Sequence, residues 1–272
     1  MGRIDSSARI ADGARLGADV EVGPYCVVGP EVTIGDGCRL IAHVVVAGNT
    51  AIGPRTVIYP FATLGTPPQS VHYRGGPTRL VIGADCVIRE NVTMNTGTED
   101  GGMVTRVGDK CFFMTGSHVG HDCKVGNEVT LVNGVALAGH CEVGDFTVIS
   151  GLAALHQFVR AGPYCFIGGL TGLTKDLLPY SAAFETPALY RGVNVVGLRR
   201  RGFKRAEIET IRAALRALFA DTGSMRERAE RLAAAFPNDA NVTRIVDFIR
   251  AGEKRPFLLS ERVGDEDEVG DA

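Results

Sequence analysis

The sequence predicts a mainly β chain, a triangular solenoid of six-residue repeats followed by an α-helical C-terminal domain. Three observations predict it. Aliphatic residues recur at every sixth position, without a slip, at Ile4, Ile10, Leu16, Val22, Val28, Ile34, Leu40, Val46, Ile52, Ile58 and Leu64. Glycine supplies 35 of 272 residues, close to twice the usual share of about 7%. After Leu178 the period of six stops and a helical one begins. Six residues match neither the 3.6 of an α-helix nor the unbroken alternation of a strand, but they match a short strand and a tight turn repeated around a three-sided prism.

The hexads resume at Ile82, Ile88 and Met94 and, after a one-residue offset, run from Val107 through Phe113, Val119, Val125, Leu131, Leu137, Val143, Ile149, Leu155, Ala161 and Ile167 to Leu173. Three hexads make a coil of about 18 residues, stacked at the strand spacing of about 4.8 Å, so roughly ten coils span Ile4 to Leu178. A narrow prism needs a small residue at the fifth position of each hexad. All seven cysteines (Cys26, Cys38, Cys86, Cys111, Cys123, Cys141 and Cys165) stand there, which reads as small buried side chains rather than disulfide or metal chemistry. Two Gly/Pro-bearing stretches, near 66–80 and 97–106, read as loops leaving the prism, where binding groups commonly lie.

The solenoid is thus assigned to 1–180, with a connecting segment at 181–203 and a helical domain at 204–257. In the latter, Ile208, Ile211, Leu215 and Leu218 share one helix face, Met225, Ala229, Leu232 and Phe236 a second, and Val242, Ile245, Val246 and Ile249 a third. Pro237 divides the last two, with Asn238 or Asp239 as the cap. The acidic tail, 258–272, is expected to be mobile.

Charge narrows the function. With 29 basic against 31 acidic residues, no global field attracts nucleic acid or an anionic membrane. No apolar run approaches the roughly 18 residues of a membrane span, and the N-terminus lacks the apolar core of a signal peptide. A cytoplasmic protein without membrane insertion is expected. The local exception is RRRGFKR, with Arg199, Arg200, Arg201, Lys204 and Arg205, which reads as a site for phosphate or an acidic protein. It lacks the interleaved aromatics of a nucleic-acid surface.

The coil period decides which of the six histidines (His43, His72, His118, His121, His140 and His156) can meet. Eighteen residues after His121 lies Gly139, beside His140, and 36 residues after it lies Gln157, beside His156. No packing rule demands histidines in successive coils of one edge, so they are candidates for chemistry. Asp122, next to His121, suits the fixing of an imidazole tautomer, and the pair is a candidate general base. Gly139 is either an unobstructed backbone N–H for an oxyanion or a turn glycine; spacing alone weighs these equally. Zinc on the histidines would make a hydratase, but they stand at the third, fourth and second hexad positions and point differently.

The hexads, HVGHDCKVGN, LAGHCEVGDF, LHQF and GVNVVGLRRRGF, in this order, resemble bacterial UDP-N-acetylglucosamine O-acyltransferase over nearly the whole chain to about Phe257. The resemblance implies a left-handed parallel β-helix with a helical C-terminal domain, assembled as a homotrimer with sites between subunits. It implies the first step of lipid A synthesis, transfer of a 3-hydroxyacyl chain from acyl carrier protein to the 3-hydroxyl of a UDP-sugar, without cofactor or metal. By motif, His121 resembles the general base, Asp122 its orienting carboxylate and Gly139 the oxyanion donor. His118, His140 and Gln157 resemble positioning residues, with His156 in the same strip. Asn194, Arg200 and Arg201 are implied near nucleotide or pantetheine, and Gly169 at the position that admits a long acyl chain.

Ser70 and His72 stand where the family commonly has an acidic residue and a lysine, Val196 where a glutamate is usual, and 184–191 is dissimilar. The acceptor's 3-substituent, hydroxyl or amino, therefore stays open. A sister N-acyltransferase of the pathway carries an extra N-terminal domain, whereas hexads here begin at Ile4. A purely structural solenoid is the third alternative, and one that would tolerate loss of His121.

Overall fold

The computed structural model describes residues 2–252 and 255–260. It is a left-handed parallel β-helix whose two- to four-residue strands fall into three parallel sheets, one per face of a prism. Each coil visits the first, second and third sheet in turn, as at His118–Val119, Lys124–Val125 and Thr130–Leu131. Stacking is in register. Thr93, His118, Ala136, Ala154 and Gly172 form one outward row of the first sheet, while the hexad aliphatics Val119, Leu137, Leu155 and Leu173 fill the interior. Burying each such side chain stabilises the fold by about 1.5–3 kcal/mol.

The corners are sharp because one residue in each adopts a left-handed backbone, including Arg55, Asp122, Glu128, His140 and Phe146. That conformation disfavours most side chains. It holds here because the corner N–H is bonded to the coil before, as His140 N is to His121 O at 2.8 Å and Phe146 N to Asn127 O at 2.9 Å.

The cysteines are buried and free, but they are more than small apolar fillers. Cys38, Cys86, Cys111, Cys123, Cys141 and Cys165 each donate Sγ–H to a turn carbonyl, at 3.1 to 3.3 Å. Thr147 does the same with its hydroxyl, to Gly162 O at 2.8 Å. These carbonyls point into the prism, where an unpaired acceptor is costly, so the fifth position selects a small donor as well as a small volume.

Both loops are shorter than expected, because pairing recruits their ends into strands Thr63–Thr66, Arg79–Ile82 and Val104–Val107. The segment 181–203 is not a mere connection. Ser181–Phe184 extends the third sheet, Leu189–Val193 returns antiparallel to it, and α1 (Val195–Arg200) follows. Its four-residue run SAAF is too short, and without alternation, to announce a strand on its own.

Helices α2 (Arg205–Ala220), α3 (Met225–Ala235) and α4 (Ala240–Arg250) bury the expected faces together. Ser224 and Glu227 form a capping box at α3, and Asp239 accepts from Asn241 N and Val242 N at α4. The bundle docks on a ladder of corner aromatics: Phe146, Tyr164 and Tyr180 stack at 4.7 and 5.5 Å. The Tyr180 hydroxyl donates to Asn241 and accepts from Arg244, and burial pushes its phenol up to about 12. The start of the expected mobile tail is docked, since Leu258 is buried and its N–H donates to Asp176 O at 2.8 Å. The remainder of that tail, 261–272, lies outside the described residues.

Candidate active site

The corner between the first and second sheets stacks Asp122, His140 and Phe158, all with left-handed φ of 59 to 66°. His121 precedes Asp122, and its Nδ1 donates to Asp122 Oδ2 at 2.8 Å, both side chains being buried. A carboxylate only accepts, so the shared hydrogen sits on Nδ1, and Nε2 is the ring nitrogen left to face a substrate.

Asp122 is held from three further directions. Its carboxylate accepts from Thr98 N at 2.9 and 3.1 Å and from Thr98 Oγ1 at 2.6 Å, while its own N–H donates to Thr105 Oγ1 at 2.8 Å. A Cβ at Gly101 would stand 2.1 Å from the Asp122 carboxyl carbon, and one at Gly97 would stand 2.8 Å from Oδ1. The second loop is therefore a lid of backbone on the carboxylate, which is why glycines bracket Thr98. Neither Thr98 nor Thr105 is singled out by the sequence; the signal for Thr98 is GTEDGG, a glycine-rich loop of the kind that carries binding groups.

Gly139 lies against the imidazole of His121. A Cβ there would be 2.4 Å from Cε1 and 2.5 Å from Nε2, so glycine is required by close approach. Its N–H makes no hydrogen bond among the described residues. His140 meets His121 edge-on at 5.0 Å, stacks on Phe158 at 4.3 Å, and brings Nε2 to 3.8 Å from Asp122. His118 Nδ1 shares a hydrogen bond with Thr93 Oγ1 at 2.8 Å. Burial, reinforced by His121, lowers the His118 pKa, and burial lowers that of His140 against the pull of Asp122. Both are therefore neutral at pH 7.

One nitrogen each of His121 and His140 and one Asp122 oxygen lie within 4.8 Å of one another, a donor set a cation could use. The 2.8 Å between His121 Nδ1 and Asp122 Oδ2 is that of a hydrogen bond, which leaves Nε2 as the nitrogen His121 would offer to a cation.

His156, Gln157 and Phe158 form the exposed rim, with His156 Nδ1 3.2 Å from Gln157 O. From His118 a strip of small residues, Ala136, Ala154 and Gly172, runs along the first sheet beside the exposed Leu152 and Leu170. At the head of that strip a Cβ on Gly169 would meet only Gly151 O, at 3.3 Å. Ser70 and His72 sit in the first loop, joined by His72 N donating to Ser70 Oγ at 3.3 Å. Glu99 ties this loop down by accepting from Gly76 N at 2.7 Å and Arg74 N at 3.2 Å. Thr98 and Glu99 thus couple the first loop to Asp122.

Asn194 and Arg201 are elsewhere. Asn194 caps α1 through Gly197 N at 3.1 Å and donates to Tyr164 O at 2.9 Å, while Arg201 pairs with Glu128 and covers Phe146 at 4.7 Å. Both engage the corner between the second and third sheets, and Arg200 beside them is exposed. Within one chain this basic group and the His121 group occupy different corners.

The family model described as UDP N-acetylglucosamine O-acyltransferase, domain 2, matches residues 176–258. The chain is 60% identical over 259 residues to the acyl-[acyl-carrier-protein]–UDP-N-acetylglucosamine O-acyltransferase of Azorhizobium caulinodans, covering 95% of this chain and 96% of that protein. It is 50% identical to the same-named protein of Rickettsia canadensis, covering 95% and 98%. Among solved structures it is similar to UDP-N-acetylglucosamine acyltransferase from Campylobacter jejuni, with a TM-score of 0.89, 36% identity and coverage of 95% and 100%. The enzyme of that name from Francisella novicida aligns with a TM-score of 0.90 at 33% identity, covering 99% of each chain.

Proposed function

Because the chain belongs to the UDP-N-acetylglucosamine O-acyltransferase family, we propose that it moves a 3-hydroxyacyl chain from acyl carrier protein to the 3-position of UDP-N-acetylglucosamine, opening lipid A synthesis. The observation that carries the mechanism is the buried His121–Asp122 pair lying against Gly139.

A sugar hydroxyl is a poor nucleophile at neutral pH. His121 Nε2 takes its proton as the oxygen attacks the thioester carbonyl, and Asp122 stabilises the resulting imidazolium through Nδ1. Negative charge develops on the carbonyl oxygen, where the Gly139 N–H donates to it. Collapse breaks the C–S bond, and the departing pantetheine thiolate recovers the proton from His121. No acyl-enzyme forms. The neutral His118 and His140 orient substrate as hydrogen-bonding groups without adding charge. The acyl chain runs along the Ala136, Ala154 and Gly172 strip toward Gly169.

A homotrimer fits this reading, because the Asn194 and Arg201 corner of one subunit would meet the His121 corner of the next. Ser70, His72, His156 and Gln157 then surround the UDP-sugar, and exposed Arg200 faces the carrier or its pantetheine.

The test is acyl transfer from a panel of acyl carrier protein thioesters to UDP-N-acetylglucosamine and its 3-amino analogue. Transfer to the hydroxyl sugar is expected, with His121→Ala losing roughly 10²–10⁴-fold in kcat at little cost in KM. Near-parental turnover by that variant, or a trapped acyl-cysteine or acyl-serine, would overturn the mechanism. Preference for the amino sugar with a small His121→Ala loss would reassign the acceptor.

A further inference from the structure

Behind Gly139, inside the prism, lies the fully buried Cys123. Its Sγ–H donates to the Ala138 carbonyl at 3.1 Å, and no other hydrogen bond reaches that carbonyl among the described residues. Cys141 beside it, and then burial, hold the thiol well above the usual range, so it keeps the proton it donates. The one cis peptide among the described residues is Thr186–Pro187, so Ala138–Gly139 is trans, with C=O and N–H pointing in opposite directions. With its carbonyl drawn inward to Cys123, this peptide turns the Gly139 N–H outward, where the His121 imidazole lies.

We propose that Cys123 is a positioning residue for acyl transfer, fixing the Ala138–Gly139 peptide so that the Gly139 N–H is pre-aimed at the thioester oxygen. The inference rests on the reading of that N–H as the oxyanion donor. Pre-aiming matters because a donor that must rotate into place during reaction spends part of its stabilisation on reorganisation. Packing alone does not demand the thiol. Val32 and Val159 occupy the same position of other coils, directly before the paired strand residues Thr33 and Arg160. One coil on, Cys141 likewise donates to His156 O at 3.2 Å, but that carbonyl also accepts from Val159 N at 3.1 Å, so there the thiol is not the sole partner.

The test compares Cys123→Val, which keeps an apolar side chain this prism already accepts but removes the donor, with Cys123→Ser, which keeps a donor. Cys38→Val is the control, since Cys38 makes the same bond, to Gly53 O at 3.1 Å, at a different corner. Cys123→Val should lose about tenfold in kcat with both KM values within about twofold, Cys123→Ser should recover most of it, and Cys38→Val should match the parent. Parental kcat in Cys123→Val, an equal loss in Cys38→Val, or no recovery in Cys123→Ser overturns the proposal. An amide-to-ester replacement at Gly139 separates the two claims. A loss of roughly 10²-fold there with Cys123→Val unaffected removes only the thiol's role, whereas no loss removes the oxyanion reading and this proposal with it.

Discussion

Thr98 grips the Asp122 carboxylate through both its N–H and its hydroxyl, and the carboxylate in turn grips His121. An imidazole proposed as a general base needs such a second layer, because its orientation is only as fixed as its partner's. The neighbouring histidines set a pH dependence. His118 and His140 have folded-state pKa values below the ordinary value of about 6.5 that they regain on unfolding. Above that value neither state is protonated and stability is full. As pH falls through it toward the lowered folded values, the unfolded chain takes up protons first and stability is lost. Urea midpoints measured from pH 8 to pH 5 should decline within this window, and His118→Gln should flatten the decline. A slope unchanged by that variant would show that His118 does not contribute.

At the scale of elements, the first-sheet strip and the basic turn after α1 make separate predictions. A Cβ on Gly169 would press on Gly151 O at 3.3 Å, a contact relieved by a shift of a few tenths of an ångström, and would meet no other atom within 4 Å, so Gly169→Met adds volume at the head of the strip, outside the interior. Its expected effect is a shift toward shorter acyl donors. At about 0.8 kcal/mol per methylene, a shift of several carbons changes relative kcat/KM by orders of magnitude, and an unchanged donor ranking would show that the chain runs elsewhere. The exposed Arg200 and Lys204 should steer an acidic carrier. Arg200→Ala with Lys204→Ala is expected to raise the carrier's KM and to blunt its salt dependence while leaving the sugar's KM alone. Arg201 differs from them. Its pairing with Glu128 and its cover of Phe146 make it an anchor of the helical domain as well as a candidate ligand contact.

At the scale of the molecule, one chain leaves large apolar side chains uncovered along the corner preceding the first sheet. Tyr25, Phe61, Leu152 and Leu170 are each more than half exposed. A second copy packed against this face would cover them. Light scattering at micromolar concentration should give a trimer, and a monomer that retains full activity would show that one chain holds a complete site.

The hexads, the helical faces, the adjacency of His121 to Asp122 and the 18-residue step to Gly139 were legible in the sequence by itself. In a solenoid, spatial neighbours are related by a nearly constant chain offset, so period translates directly into contact. Where the offset breaks, legibility ends. The two loops change the step between coils, so neither the clasp of Thr98 on Asp122 nor the tie of Glu99 to the first loop follows from counting. The strands of 181–203 depend on the open end of the third sheet, and Leu258 depends on Asp176 to pair with. Direction was likewise decided only by the tertiary structure. Spacing shows that Cys123 is small and interior, but which carbonyl its thiol meets depends on how each turn peptide is rotated, and that rotation is set by the coil stacked against it.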